Sequence, residues 1–464
     1  MTAFAWVAVL AYAAIAAGLG HLALRVFRIA DRPFLDTSAA SYLCGQLVIH
    51  ALTVATAFLP IGLTTLIHIA SAAGLVGALL LAGQRARCMR DQPREFATHA
   101  LALVCFLAAF PAVVVLAHAT GTVEWDARMI WMFHGKALFV EDGVRSQFFG
   151  SPALWWSNLD YPLLLPSQAA WSAHLAGAWS GIVCKAHLLV TLLAWFTLLS
   201  KTIARLVGNA PISYLAAAGL MMLGHAHPAP YDYMSGMADR HYATPLLIGA
   251  LAVHPRGWNR TVPFFSLMLA YAANVKNEAS VYVAGLLLAT AIILAIRRRA
   301  EGRTILHERG ALMLAGALGI APLLMWKLYA RSQAIPGGLG LWQQITNLPS
   351  RLTERLGTVL EHVALGLHAS GATWAAGAIV LLGSLGIARH RRLGFTGHDA
   401  ALFAATFSIL AMVVGVFVLT PHDYVLHMNM AMSRLTVLPT CVLGAVAVSR
   451  LSYWFHGAGD SRSS

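Results

Sequence analysis

IGLTTLIHIASAAGLVGALLLAGQRARCMRDQPR, residues 61–94, carries no acidic residue, lysine or arginine in its first 24 positions and then four arginines in the next ten. An apolar run of about 20 residues is long enough to cross the hydrocarbon core of a bilayer. Basic residues that follow such a run collect on the cytoplasmic side. The stretch therefore reads as a membrane span, 61–83, ending in a cytoplasmic basic segment, 84–94.

The same pattern repeats outward along the chain. Apolar runs at 4–24, 38–58, 98–119, 181–200, 279–296, 311–328, 372–388, 399–419 and 433–451 read as further spans, with shorter ones at 210–224, 242–254 and 261–275. The total is about thirteen, counting runs near the length a bilayer needs. Composition agrees: of 464 residues, 58% are hydrophobic and 11% charged, with mean hydropathy +0.68, whereas a soluble domain carries about 25% charged residues. The predicted fold class is an all-α polytopic membrane protein with amphipathic interfacial helices in long external loops. Residues 1–97 read as N-terminal transmembrane helices, 98–455 as a transmembrane core with the long external loops, and 456–464 as a cytoplasmic tail.

Basic residues gather at Arg25/Arg28/Arg32, 84–94, Lys201/Arg205, Arg256/Arg260, 296–303 and 388–394, which are alternate loops. The net charge of +13 is thus an expression of topology and not of a nucleic-acid surface. It places the N-terminus outside and the C-terminus inside. Residues 1–24 lack a basic leader and a small-residue cleavage pattern, and read as the first span. Cys44, Cys88, Cys105, Cys184 and Cys441 are dispersed, without the spacing of a disulfide framework or a zinc site.

With the basic loops inside, residues 120–180, 225–241, 276–278, 329–371 and 420–432 fall outside, and nearly every unusual polar cluster falls with them. The first of these loops exceeds the 12–15 residues beyond which a loop has a job or is disordered. Ile130, Phe133, Ala137 and Val140 recur at helical spacing within it, and Trp131, Trp155, Trp156 and Trp171 suit a membrane interface. They predict a helix lying along the outer surface. Leu352, Leu356, Val359, Leu360 and Val363 give 348–368 the same amphipathic character.

Five external segments carry ionisable groups among apolar neighbours. EWDARMIWMFHGKALF (124–139) holds Glu124 and Asp126, which point to different sides of a helix, with Asp126 the better placed for a pocket and Lys136 further along. A solvated network of Asp126 with Arg128 or Lys136 is the alternative. WSNLDYPLLLP (156–166) sets Asp160 and Tyr161 before a proline, as in a rigid turn. GMADRHY (236–242) contributes Asp239 and Arg240, and NVKNEAS (274–280) contributes Lys276, Asn277 and Glu278. Ionisable groups at membrane depth are costly and mark function or one another's neutralisation, here a Lys276/Glu278 pair. Finally, TPHDYVLHMNMAMSRLTVLP (420–439) brings His427 and Arg434 to the outer end of the last span, where an arginine can grip a phosphate or reach the headgroups.

The order WDAR·IW, KALF, DYPLLLP, GMAD, KNE and a late SRL··LP resembles the GT-C superfamily of polytopic glycosyltransferases, over about residues 120–440. It is most similar to bacterial members in which WDAW·IW, HPDYP, G·AD and KNEG recur. Two motifs depart from that pattern, with NLDYP for HPDYP and KNEA for KNEG, and four spans precede the acidic loop where many members have one. The resemblance implies a bacterial inner-membrane enzyme with its site facing the periplasm. It would move a sugar from a polyprenyl-phosphate donor to a lipid or glycan acceptor.

In that scheme Asp126 acts at the acceptor, with Glu124 beside it. Asp239 helps hold sugar or a divalent metal ion, for which Asp126 is the other candidate. Lys136, Lys276 and Arg434 are candidates for the donor phosphate; Asp160, Tyr161, Arg240, Asn277, Glu278 and His427 complete the substrate-binding set. The chemistry suits the residues: a carboxylate takes the acceptor proton, cations stabilise the departing phosphate, and grooves between spans take the prenyl chain. A lipid-linked glycan ligase or polymerase would use the same loops. A secondary transporter would predict an inverted repeat with polar groups at the midplane, and neither pattern is evident.

Overall fold

In the computed structural model, residues 3–31, 35, 37–91, 104, 126–207, 210–222, 238–252, 258–287, 309–335, 346–369, 397–420, 423–425 and 428 are described, with isolated positions and pairs from 432 to 447. These residues are helical wherever they are regular, with no strand among them.

Small residues set the first contacts. Helices α1 (Ala3–Val26), α2 (Ser38–Ala55) and α3 (Leu63–Asp91) pack so closely that a Cβ on Gly20 would overlap the Ser41 carbonyl, one on Gly45 that of Ala16, and one on Gly18 that of Gly74. Such backbone approach is how helices associate in lipid, where no hydrophobic force separates them from the solvent. The pairings run antiparallel between α1 and α2 and parallel between α1 and α3. The Thr37 hydroxyl accepts the Ala40 N–H and starts α2.

The helix α3 is longer than the span read from hydropathy. It continues through Gln84–Arg90, because that segment holds good helix formers and meets no proline until Pro93. The basic segment is therefore a helical extension and not a loop up to Asp91. Arg25 at the end of α1 donates to Gln84 and to His21, which gathers the basic ends of α1 and α3. Cys44 and Cys184 are buried, whereas Cys88 is only half-buried on this extension. In intact cells an impermeant thiol reagent is expected to leave Cys88 unmodified until the membrane is permeabilised. Modification from outside would invert the topology.

The acidic loop folds into the bundle. A π-helical turn, Ala127–Trp131, leads into α4 (Met132–Val140). Ile130, Trp131, Met132, His134, Gly135, Ala137 and Leu138 are all buried, while Val140 is 68% exposed. This corrects the reading of a helix lying on the outer surface: apolar residues surround most of its girth, and such a helix is buried. A short helix at Ser146–Phe149 and a 3₁₀ segment at Pro152–Ser157 follow. Next, α5 (Leu164–Leu175) is buried at every position from Leu164 to Ala173, yet its 12 residues span only about 18 Å, too short to cross. Trp171, expected at the membrane interface, is wholly buried there and donates to Thr53.

The remaining described elements are α6 (Val183–Val207), α7 (Ala210–Met222), α8 (Ala238–Ala252), α9 (Trp258–Ala273), α10 (277–287), α11 (Ala321–Ser332), α12 (Leu348–Ala369) and α13 (Gly397–Leu419). Helix α11 is preceded by Arg309–Leu314 and a second π segment, Ala315–Ile320. Asn274, in the break between α9 and α10, donates to the Ala270 and Gly319 carbonyls at 2.8 and 2.9 Å and so ties α9 to that π segment.

Rather than lying alone at the surface, α12 packs Val359, Val363 and Gly366 against the cluster of Val413, Phe417, Val418, Met428 and Met432. Arg351 and Arg355 donate to the terminal carbonyls of α13 at Leu419 and Thr420, where a helix end is negative. Leu360, placed by periodicity on the packing face, is exposed.

Among the described residues four helices are long and apolar enough to cross a membrane, Trp6–Val26, Ser38–Ala55, Leu63–Arg90 and Val183–Leu206, with shorter apolar helices at Pro211–Met221, Thr261–Ala273 and Ile409–Leu419. The protein is a helical membrane protein. The expected spans at 98–119 and 372–388, and most of 433–451, fall almost wholly outside the described residues.

Candidate functional site

One end of the bundle collects the loop between α2 and α3, the segment after α4, and the ends of α9 and α11. Asp142 accepts from the Thr64 N–H and hydroxyl, Thr56 accepts from the Val144 N–H, and Phe58 meets Tyr329 edge-on. Four of the polar sequence segments arrive at this end.

The first is built around a turn. Asn158 takes a left-handed conformation (φ 52°), which asparagine tolerates, and its carbonyl accepts the Tyr161 N–H. Pro162 then fixes the approach to α5. Asp160 is thereby held between two other elements: its carboxylate accepts from Asn277 Nδ2 at 2.8 Å and pairs with Lys327 Nζ at 3.2 Å, while its carbonyl accepts from Lys327 Nζ and Trp326 Nε1. Lys327 also donates to Asn277 Oδ1 at 2.7 Å. All three donors of that ammonium are engaged, which makes Lys327 a staple across α10, α11 and the turn.

Tyr161 begins the second half of the cluster. Its ring stacks on Trp131 at 5.3 Å and its hydroxyl donates to Glu278 Oε1 at 3.0 Å. Burial, then the charges of Glu278 and Asp160 and finally that of Asp126, hold the phenol well above the ordinary tyrosine range, so Tyr161 remains a donor. Asp126 stands half-buried immediately before the π turn, near enough for its charge to act there.

Lys276 joins the remaining carboxylates. Its Nζ lies 3.1 Å from Asp239 Oδ1 and 3.7 Å from Glu278 Oε1, with all three side chains largely buried. The lysine thus bridges two acids, and its shorter contact is with Asp239. Asp239 and Arg240, read as the end of an external loop, lie in the first turn of α8, where a carboxylate complements the positive helix end. Arg240 is buried beside it. Tyr242, one turn on, approaches Asp239 at 3.5 Å and stacks on Tyr282.

Of the residues singled out in the sequence, Asp160, Tyr161, Asp239, Lys276, Asn277 and Glu278 meet directly, with Asp126 beside them. Lys136 is exposed on α4 and outside the cluster. Glu124, His427 and Arg434 lie outside the described residues. The histidine of the acidic segment, His134, belongs to the core: burial lowers its pKa to about 3 and keeps it neutral, 3.4 Å from Ser157.

The chain has no matching family model, no matching curated protein and no matching solved structure.

The donor set bears on a metal at Asp239. The cation positions are filled by ammonium groups, Lys276 between Asp239 and Glu278 and Lys327 at Asp160. Among the described residues no group of three or more His, Cys, Asp or Glu side chains is arranged to hold an ion. At Asp239 a divalent metal would compete with the Lys276 ammonium, 3.1 Å from the carboxylate. What the cluster can do is set carboxylates against ammonium groups among largely buried side chains and present hydrogen-bonding groups at fixed positions.

Proposed function

We propose that the protein is an integral-membrane glycosyltransferase of the bacterial inner membrane, with about thirteen spans. It transfers a sugar from a polyprenyl phosphate to a hydroxyl of a lipid or glycan acceptor on the periplasmic face. The observation that carries this reading is the convergence of the DYP, GMAD and KNE segments into one ion-paired cluster at one end of the bundle, with Asp126 of WDAR near enough for its charge to act on Tyr161. The positive-inside pattern supports an external position for that end. In the reaction the bond between the anomeric carbon and the phosphate oxygen breaks and a bond to the acceptor oxygen forms. The acceptor proton passes to Asp126, and polyprenyl phosphate leaves. Apolar grooves between the helices suit the prenyl chain.

Incubation of purified protein with a panel of polyprenyl-phosphate sugars and membrane acceptors tests the reading through release of polyprenyl phosphate. Uptake of a solute with no release under any donor would favour a transporter. Arg434 is the residue best suited to the donor phosphate, because a guanidinium meets phosphate through two parallel hydrogen bonds and an ammonium only as a point charge. Arg434→Lys is expected to weaken polyprenyl-phosphate binding, and Arg434→Ala to weaken it by about ten- to a hundredfold. Unchanged binding in Arg434→Ala would remove this residue from the site.

A further inference from the structure

One polar atom in the cluster has no partner. Glu278 uses Oε1 for Tyr161 and Lys276, but its Oε2 is buried without a hydrogen bond, and the buried hydroxyl of Tyr282, one turn on, has the Tyr242 hydroxyl as its neighbour. Glu278 and Tyr282 are four residues apart on α10, so their side chains rise from one face of the helix. Neither is free to turn away. Tyr161 and Lys276 fix the carboxylate, and the Tyr282 ring is stacked on Tyr242 at 5.5 Å and 23°. A buried acceptor left bare is costly, and native proteins retain such an atom where something else completes it.

One ligand hydroxyl can donate to the bare Glu278 oxygen and accept from the neighbouring phenol, because a hydroxyl donates one hydrogen and accepts another. We propose that Glu278 and Tyr282 form a hydroxyl-binding slot for the sugar, in which one ring hydroxyl donates to Glu278 Oε2 and accepts from the Tyr282 phenol. The proposal rests on the glycosyltransferase reading and specifies how that site recognises its carbohydrate. Side-chain exposure rises from 9% at Asp239, through 11% at Lys276, 13% at Glu278 and 14% at Asp160, to 38% at Lys327. A resident water is the other source of the same chemistry, and the test separates the two.

The experiment uses the purified full chain in detergent and calorimetric titration with methyl hexosides and their single-deoxy derivatives, with polyprenyl phosphate titrated in parallel. The wild type is expected to bind at least one hexoside and to bind one of its deoxy forms about ten- to a hundredfold more weakly, the usual effect of a hydrogen bond to a charged group. Tyr282→Phe keeps the stacked ring and should remain folded. It should weaken the parent sugar and erase most of the preference over that deoxy form, as should Glu278→Gln. Retention of the full preference in both variants would overturn the slot. So would an absence of hexoside binding by a wild type that still binds polyprenyl phosphate, an outcome that means water alone and leaves the donor reading standing. Hydroxyl-selective hexoside binding without polyprenyl-phosphate binding would keep the slot and remove the donor reading.

Discussion

Asp126→Asn is expected to lower glycosyl transfer by about 10²- to 10⁴-fold while leaving the protein folded in the membrane, since this is the usual contribution of a general base. The amide keeps the shape of the carboxylate and cannot take a proton. Position supports the choice: Asp126 is half-buried before the π turn, and its charge reaches Tyr161, which is bonded to Glu278. Asp160 is bound to Asn277 and Lys327, and Asp239 to Lys276. Transfer by each purified variant, normalised to polyprenyl-phosphate binding, distinguishes the candidates. Full turnover in Asp126→Asn together with its loss in Glu124→Gln or Asp239→Asn would assign the base elsewhere.

The parts of the site visible in the sequence were charged residues that an apolar context makes conspicuous. Asp160, Asp239 and the Lys276–Glu278 segment stand out for this reason, since burying an ion in a membrane demands a partner. Their partners were harder to see. Lys327 sits in the last turns of an apolar run and resembles a lysine reaching for the headgroups, yet it donates three hydrogen bonds to the Asp160 turn. Trp131, Tyr242 and Tyr282 look like ordinary core or interface aromatics, and only the stacking pairs reveal their use.

The fold shows a similar division. Hydropathy finds α1, α2 and α6 because their windows are long and apolar. It misplaces the start of α8, since a buried Asp239 and Arg240 lower the local average although both lie within the helix. It also cannot tell a helix on the surface from one folded into the bundle. The π turn and the buried His134 and Gly135 of α4 depend on contacts from segments more than twenty residues away.

Lys276→Met should destabilise the protein by about 3–5 kcal/mol, the range for removing one partner of a buried ion pair, because two largely buried carboxylates would be left facing an apolar side chain. The choice of second substitution then discriminates between two accounts of the lysine. From the sequence, Glu278 is the natural counter-ion, two residues away. In the structure Nζ lies 3.1 Å from Asp239 and 3.7 Å from Glu278, and Glu278 retains the Tyr161 hydroxyl when the lysine is lost. Asp239 holds the shorter contact, and Tyr242 also approaches it at 3.5 Å. Lys276→Met with Asp239→Asn is therefore expected to recover more stability than Lys276→Met with Glu278→Gln, by thermal denaturation of the purified variants in detergent. Equal recovery would mean that the two acids share the cation evenly, and greater recovery with Glu278→Gln would restore the local pair as the dominant interaction. The additivity of the three single substitutions decides the matter, since residues that share one partner couple by about 0.5–3 kcal/mol whereas independent ones add.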